Sequence, residues 1–283
     1  MLRIGRISFI HNDPAFYYLE KNTPDDVKII SATPRELLNL LLQDHIDFAP
    51  ISSVSLAAAG SEELVAVPAM SVHSKGPILS AGVVSSRTPK HQRDSIRSGD
   101  RISVTEYTET SARMLEAILR ARKIEEVTFL KSNYTKSNDL LSEAPLALLI
   151  GDEALKTCTG NEEAVMIFDI GEEWWRTMGK PAVFAVSAMR RKWVDENPKE
   201  TNRILNLVRT SVQYGYSNLD EIIRETASRS DLPKELIAKY FRCVRLDYSA
   251  DVQASLYNMF KTLEGDYAPI QFLSPYFRQA STS

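Results

Sequence analysis

The chain has 283 residues, enough for two ordinary domains or one large one, with a sizeable core in either case. Its formal net charge is −3, with Lys and Arg scattered among Asp and Glu, so there is no basic stripe to track a phosphate backbone and nucleic acid is not an expected partner. Two widely separated cysteines, Cys158 and Cys243, exclude a disulfide scaffold; no apolar run is long enough to span a bilayer, and nothing reads as a secretory signal, so the cytoplasm is the expected location.

Residues 2–10 are mostly apolar and β-branched and predict a strand, as do residues 27–31. Thr33-Pro34-Arg35-Glu36 then reads as a capping box with proline at the first helical position, opening a leucine-rich helix over 37–42. Residues 46–51, 64–68 and 78–84 predict further strands with short connections, the rhythm of an α/β sheet. Past Ser85-Ser86-Arg87-Thr88-Pro89 the pattern restarts, with strands over 101–105, 127–130, 146–150 and 165–169 and a helix over 110–122. From Lys192 onward strand signals vanish, and 198–216, 219–228, 233–241 and 250–263 carry helical spacing. There is no internal repeat. The expected architecture is α/β with two lobes: lobe I from residues 1–84 plus 188–283, lobe II from residues 85–187. Strands over 78–84 and 183–189 form a double-strand hinge, and a ligand cleft lies between the lobes.

Cleft residues in such an arrangement come from strand ends and helix starts. Ser52 and Ser53 follow the strand at 46–51 and either hold a carboxylate or cap the next helix. Thr108, Thr110 and Ser111 open the helix at 110–122, where free amides and the helix dipole favour an anion. Asp152, at the end of a buried strand, either caps the following helix or holds the lobe interface. Trp174, Trp175 and Thr177 precede the returning hinge strand, as cleft wall or as packing. His45 and His91 read as surface residues, and His73, near a turn, as solvated. No metal-ligand spacing, phosphate loop or nucleophile triad is present, so neither a metal nor a cofactor is expected.

Several segments in fixed order carry a resemblance that covers nearly the whole chain: Gly5-Arg6-Ile7-Ser8-Phe9, Ser74-Lys75-Gly76-Pro77, Thr110-Ser111, Ile150-Gly151-Asp152-Glu153-Ala154-Leu155, and Asp169-Ile170-Gly171-Glu172-Glu173-Trp174 running into Pro181-Ala182-Val183-Phe184-Ala185. Together they resemble the menaquinone-biosynthesis family that contains chorismate dehydratase of the futalosine route. The resemblance implies a periplasmic-binding-protein-like type II fold. It also implies a hydro-lyase that removes water from chorismate to give 3-[(1-carboxyvinyl)oxy]benzoate, with chorismate or a similar small-molecule dicarboxylate as its expected substrate.

The same resemblance implies a catalytic serine after the glycine-proline turn, at Ser80, with Ser74 and Gly76 among the substrate-binding positions. Read from its neighbours alone, Ser80 has no adjacent base and serves either as a hydrogen-bond donor or as a small residue packed at the hinge. The family's active-site asparagine falls on His11, with Asn12 displaced by one residue, so either of these takes the role. Lys75 and Glu109 also depart from the family pattern, and a carboxylate at Glu109 facing the ligand would repel a dianion. Ser8 with Asn12-Asp13 echoes the sister enzyme that makes dihydroxynaphthoate, but Gly151-Asp152 stands where that enzyme needs its catalytic histidine, which favours the dehydratase side. The competing classes are a non-catalytic binder of aromatic carboxylates and a related enzyme acting on another precursor.

Overall fold

A computed structural model describes residues 1–60, 62–88, 94–105, 108–160, 163–263, 265, 267 and 270–273. The strands are β1 (Leu2–Ile7), β2 (Val27–Ala32), β3 (Phe48–Ser52), β4 (Leu64–Ser74), β5 (Ala81–Ser86), β6 (Arg101–Thr105), β7 (Thr128–Ser132), β8 (Leu146–Ile150), β9 (Ala164–Asp169) and β10 (Ala182–Arg190). The helices between them are α1 (Asp13–Lys21), α2 (Pro34–Leu42), α3 (Ser53–Ala59), α4 (Glu109–Ala121), α5 (Ser137–Glu143), α6 (Gly151–Lys156) and α7 (Ile170–Met178). After β10 come α8 (Arg191–Glu196), α9 (Pro198–Ser217), α10 (Leu219–Arg229), α11 (Lys234–Cys243) and α12 (Ala250–Thr262).

The strands divide into two five-stranded sheets, ordered β2-β1-β3-β10-β4 and β7-β6-β8-β5-β9. In each sheet the strand that arrives from the other lobe is antiparallel to its neighbours: β10 lies between β3 and β4, and β5 between β8 and β9. The remaining pairs are parallel, so the carboxyl ends of β1, β3, β6 and β8 all face the gap between the sheets, where ligands bind in open α/β folds.

Sheet membership moves the hinge from its expected position. Residues 78–84 do not carry the chain across as a strand: β5 belongs wholly to lobe II and β10 wholly to lobe I. The crossings are the irregular stretches at 75–80 and 179–181, which shifts the lobe boundaries from 84 and 187 to these points. The reason is pairing, since Ala81 is already in register with Ile150 and Ala182 with Ser74.

The sequence signals that are local hold well. Thr33 and Glu36 form the capping box, Thr33 Oγ1 accepting from the Glu36 amide while the Glu36 carboxylate accepts from the Thr33 amide. β4 runs past Pro68, where the expected strand stops. Residues 67–70 bulge out of the pairing with β10, and the Ser187 hydroxyl fills the break by donating to the Met70 carbonyl at 2.8 Å and accepting from the Met70 amide at 2.9 Å. His73 is therefore buried in β4 rather than solvated at a turn, its Nδ1 2.9 Å from the Ser71 hydroxyl, and burial lowers its pKa to about 4. His45 is exposed as expected, and His91 lies outside the described residues.

Candidate functional site

A cavity of about 80 Å³ sits between the two sheets. Its apolar walls come from Ile7 at the end of β1, Phe9 just after it, Val72 of β4, Ile78, Ile150 of β8, and Phe184 of β10. Its polar groups are Ser52, His11, Ser80, Thr108, Thr110 and Ser111. Six of the residues singled out in the sequence thus come together here from four separate segments, and no ionised side chain lines the space among the described residues.

The lobes are closed on one another. The Ser52 and Thr110 hydroxyls are 2.8 Å apart, the Val54 amide donates to Thr110 Oγ1 at 3.2 Å, and Ser55 Oγ donates to the Glu109 carboxylate. Glu109 accordingly binds the opposite lobe and does not line the cavity, so it puts no charge against a bound anion. Lys75 is likewise away from the cavity, over the Trp175 ring at 5.1 Å. On the other flank, Asp152 Oδ1 accepts from the Ile10 amide at 3.2 Å, and burial lifts the Asp152 carboxyl to about 6. Phe9 packs against Gly151, which sits at φ +66°; a Cβ there would lie 2.8 Å from the ring, so this position requires glycine.

His11 and Asn12 lie in a single 3-10 turn, Ile10–Asn12, that leads into α1. Only His11 lines the cavity. Both of its ring nitrogens are buried without a hydrogen-bond partner among the described residues, and burial with the nearby Arg6 charge lowers its pKa to about 3. At neutral pH it is a neutral imidazole carrying one donor and one acceptor. Asn12 is fully buried, its amide unpartnered among the described residues, one position behind. The turn is braced by Asp13, whose carboxylate receives Arg6, Arg229 and the Thr226 hydroxyl, the last at 2.7 Å.

Ser80 ends the crossing at 75–80 and is 7% exposed, with its backbone carbonyl accepting from the Gly151 amide at 2.7 Å. Behind it lies Tyr240 of α11, a fully buried phenol whose pKa burial raises; Ser80 is its polar neighbour, but the two do not reach hydrogen-bond geometry. Thr108 is the N-cap of the 13-residue α4 and Thr110 and Ser111 lie in its first turn, whose leading amides have no intrahelical acceptor.

The other sequence candidates do other work. Ser53 is fully buried and donates to the Val183 carbonyl at 2.8 Å, tying α3 to β10, and Ser74 donates to the Gly76 carbonyl at 2.9 Å inside the hinge turn. Gly76, at φ +108°, shapes that turn without lining the cavity. Asp152 faces an adjoining hollow with Lys136 and Lys156. Trp174 is core and does not wall the cleft. Sequence reasoning passed over Phe184 and Tyr240, which helical or strand spacing marks only as apolar positions. It also gave Asp169 no role, although an Asp with Glu three residues on is an N-cap signal.

Two α/β lobes, two crossings and an enclosed cleft define a periplasmic-binding-protein-like fold. A family model described as menaquinone biosynthesis matches residues 2–264, and the chain belongs to the menaquinone-biosynthesis family. Among solved structures it is similar to protein AF1704 from Archaeoglobus fulgidus, with a TM-score of 0.73 and 18% identity over 92% of this chain and 96% of that one. It is also similar to the periplasmic aliphatic sulphonate binding protein SsuA from Escherichia coli, with a TM-score of 0.63 and 14% identity over 100% of this chain and 97% of that one. The alkanesulfonate-binding protein SsuA from Xanthomonas axonopodis pv. citri, bound to MOPS, gives a TM-score of 0.67 and 16% identity over 93% and 94% of the two chains. At these identities the likeness is one of fold. No helix among the described residues is long and apolar enough to cross a membrane, and no group of three or more His, Cys, Asp or Glu among them could hold a metal ion.

Proposed function

We propose that this chain converts chorismate to 3-[(1-carboxyvinyl)oxy]benzoate and water. The observation that carries the reading is the composition of the cavity: aromatic and branched walls around hydroxyls, one neutral imidazole and no ionised side chain among the described residues. The reaction breaks a C–H bond at the ring carbon bearing the ether and the C–O bond of the adjacent hydroxyl. The new double bond completes an aromatic ring, so the site has only to orient the substrate, exclude water and help the hydroxyl leave. Ser80 donates to the departing hydroxyl. His11, neutral and unpartnered, faces the same space and accepts or relays the proton. One carboxylate docks at the first turn of α4 on Thr110 and Ser111 with Ser52 opposite, the helix dipole supplying positive potential that no side chain provides. The sulphonate-binding neighbours, one bound to MOPS, support an acidic small molecule in such a cleft.

The test is incubation of the purified protein with chorismate, followed by chromatography with mass detection. The expected product is the enolpyruvyl-benzoate, with Ser80→Ala lowering kcat by about 10²-fold while KM stays within a few-fold. Binding of chorismate without turnover would replace the reading with that of a binding protein, and absence of binding would point to another precursor.

A further inference from the structure

The segment Asp169-Ile170-Gly171-Glu172 takes no part in lining the cavity, yet it reaches back 90 residues to the turn that carries Ser80. Within the crossing at 75–80, Leu79 sits at φ +63°, in the left-handed region that a leucine adopts only when its surroundings hold it there. The Asp169 carboxylate supplies that hold. Its two oxygens accept from the Ile78 amide at 3.0 and 3.1 Å, and Oδ2 accepts from the Leu79 amide at 2.7 Å. The same side chain caps α7 through the Glu172 amide at 3.0 Å. A helix cap alone would use that one contact, whereas here the other bonds go to the turn. Asp169 is 9% exposed and makes no ion pair among the described residues, so its carboxylate is answered by backbone amides. Gly171 docks the start of α7 on the same turn, a Cβ there falling 2.7 Å from the Gly76 carbonyl oxygen. With the Gly151 amide bonded to the Ser80 carbonyl, Ser80 is pinned from both sides.

We propose that Asp169 is a positioning residue for Ser80: its carboxylate holds the left-handed Leu79 turn and thereby fixes where the Ser80 hydroxyl meets the ligand. The inference rests on the reading of Ser80 as a reacting group. Asp169→Asn keeps the shape and one acceptor oxygen but turns an NH2 against a backbone donor. Its expected effect is a fall in kcat of at least about tenfold with KM within about threefold, the folded circular-dichroism spectrum being retained. Glycine adopts φ +63° without strain, so Leu79→Gly in the Asp169→Asn background is expected to recover kcat several-fold relative to Asp169→Asn alone, a rescue that a mere helix cap would not give. Hydrogen exchange of the Ile78 and Leu79 amides, read by mass spectrometry, is expected to accelerate about tenfold or more in Asp169→Asn. Wild-type kcat in Asp169→Asn, or a loss that Leu79→Gly does not relieve, overturns the proposal while leaving the dehydratase reading intact. If the unaltered protein does not turn over chorismate, that reading fails, and the exchange measurement alone decides the clamp: unchanged exchange in Asp169→Asn sinks it and faster exchange upholds it.

Discussion

The two walls of the cleft are braced by different physics. Behind the lobe I wall, the turn carrying His11 rests on a buried charge cluster in which Asp13 receives Arg6, Arg229 and Thr226. Behind the lobe II wall, Ser80 and the threonines rest on backbone amides, a helix start and a strained turn, with no ion pair in direct support among the described residues. A charged brace acts at a distance: Arg6 helps to keep His11 neutral. A backbone brace fixes position and leaves the local potential to the helix. Disturbing lobe I should therefore appear first in stability and its pH dependence, and disturbing lobe II first in turnover.

The largest expected effect breaks the charged brace. Asp13→Ala leaves Arg6 and the Thr226 hydroxyl facing an empty, buried site, and removal of one partner from a buried pair costs about 3–5 kcal/mol. The urea midpoint should drop accordingly; a midpoint within about 0.5 kcal/mol of wild type would mean that Arg229 and solvent relieve the cluster. Ser80→Ala sharpens the contrast from the other side, with kcat lowered about 10²-fold and stability in urea shifted by less than about 1 kcal/mol, since among the described residues no hydrogen bond ties the hydroxyl to the rest of the fold. The division between the walls fails if Ser80→Ala unfolds the protein and Asp13→Ala lowers only turnover.

The parts of this architecture legible in the sequence are those with local causes. The capping box at Thr33, the strands at 101–105 and 146–150 and the four helices after residue 197 fall within a few residues of expectation, because period and caps are written in adjacent residues. The hinge was misplaced because an apolar run such as 78–84 does not say which sheet it will join. His73 is buried because β4 survives a proline through a bulge, which a rule that ends strands at proline cannot foresee. Of the residues that line the cavity, His11, Ser52, Ser80, Thr108, Thr110 and Ser111 lie near strand ends and helix starts, the positions that sequence reasoning singles out. Ser53 is not separable from them in the sequence, since its acceptor, the Val183 carbonyl, is brought near only by folding, and Ser74 is not because its bond to the Gly76 carbonyl depends on the conformation of the turn between them.

A smaller effect follows from the neutrality of His11. Its pKa is about 3 in the folded chain against an ordinary 6.5, so as pH falls below 6.5 the unfolded chain takes up a proton that the native one refuses. Stability contributed by the neutral ring is complete above about pH 6.5 and is lost progressively toward pH 3. His73, lowered to about 4, slopes the same way, while Asp152, raised to about 6, takes up its proton earlier in the native state and opposes both between about pH 6 and 3.8. His11→Asn should flatten the acid limb of a urea-midpoint profile without abolishing it. An unchanged limb would mean that His11 gains a partner or solvent at low pH.

The smallest effect concerns what the two walls share, the contact that closes them. Ser55 of α3 donates to Glu109 of α4 across the gap, and neither residue lines the cavity. Ser55→Ala removes a hydrogen bond to a carboxylate that is only partly withdrawn from water, worth about 1 kcal/mol in the closed form and nothing in the open one. The open form gains by that amount, so the binding-competent population and the apparent affinity fall together, and KM should rise about fivefold with kcat unchanged. If kcat falls by the same factor and KM stays put, closure is not a binding step that precedes chemistry; the α3–α4 contact then helps to hold Thr110 and Ser52 in their working positions, and lobe I would brace the lobe II wall directly.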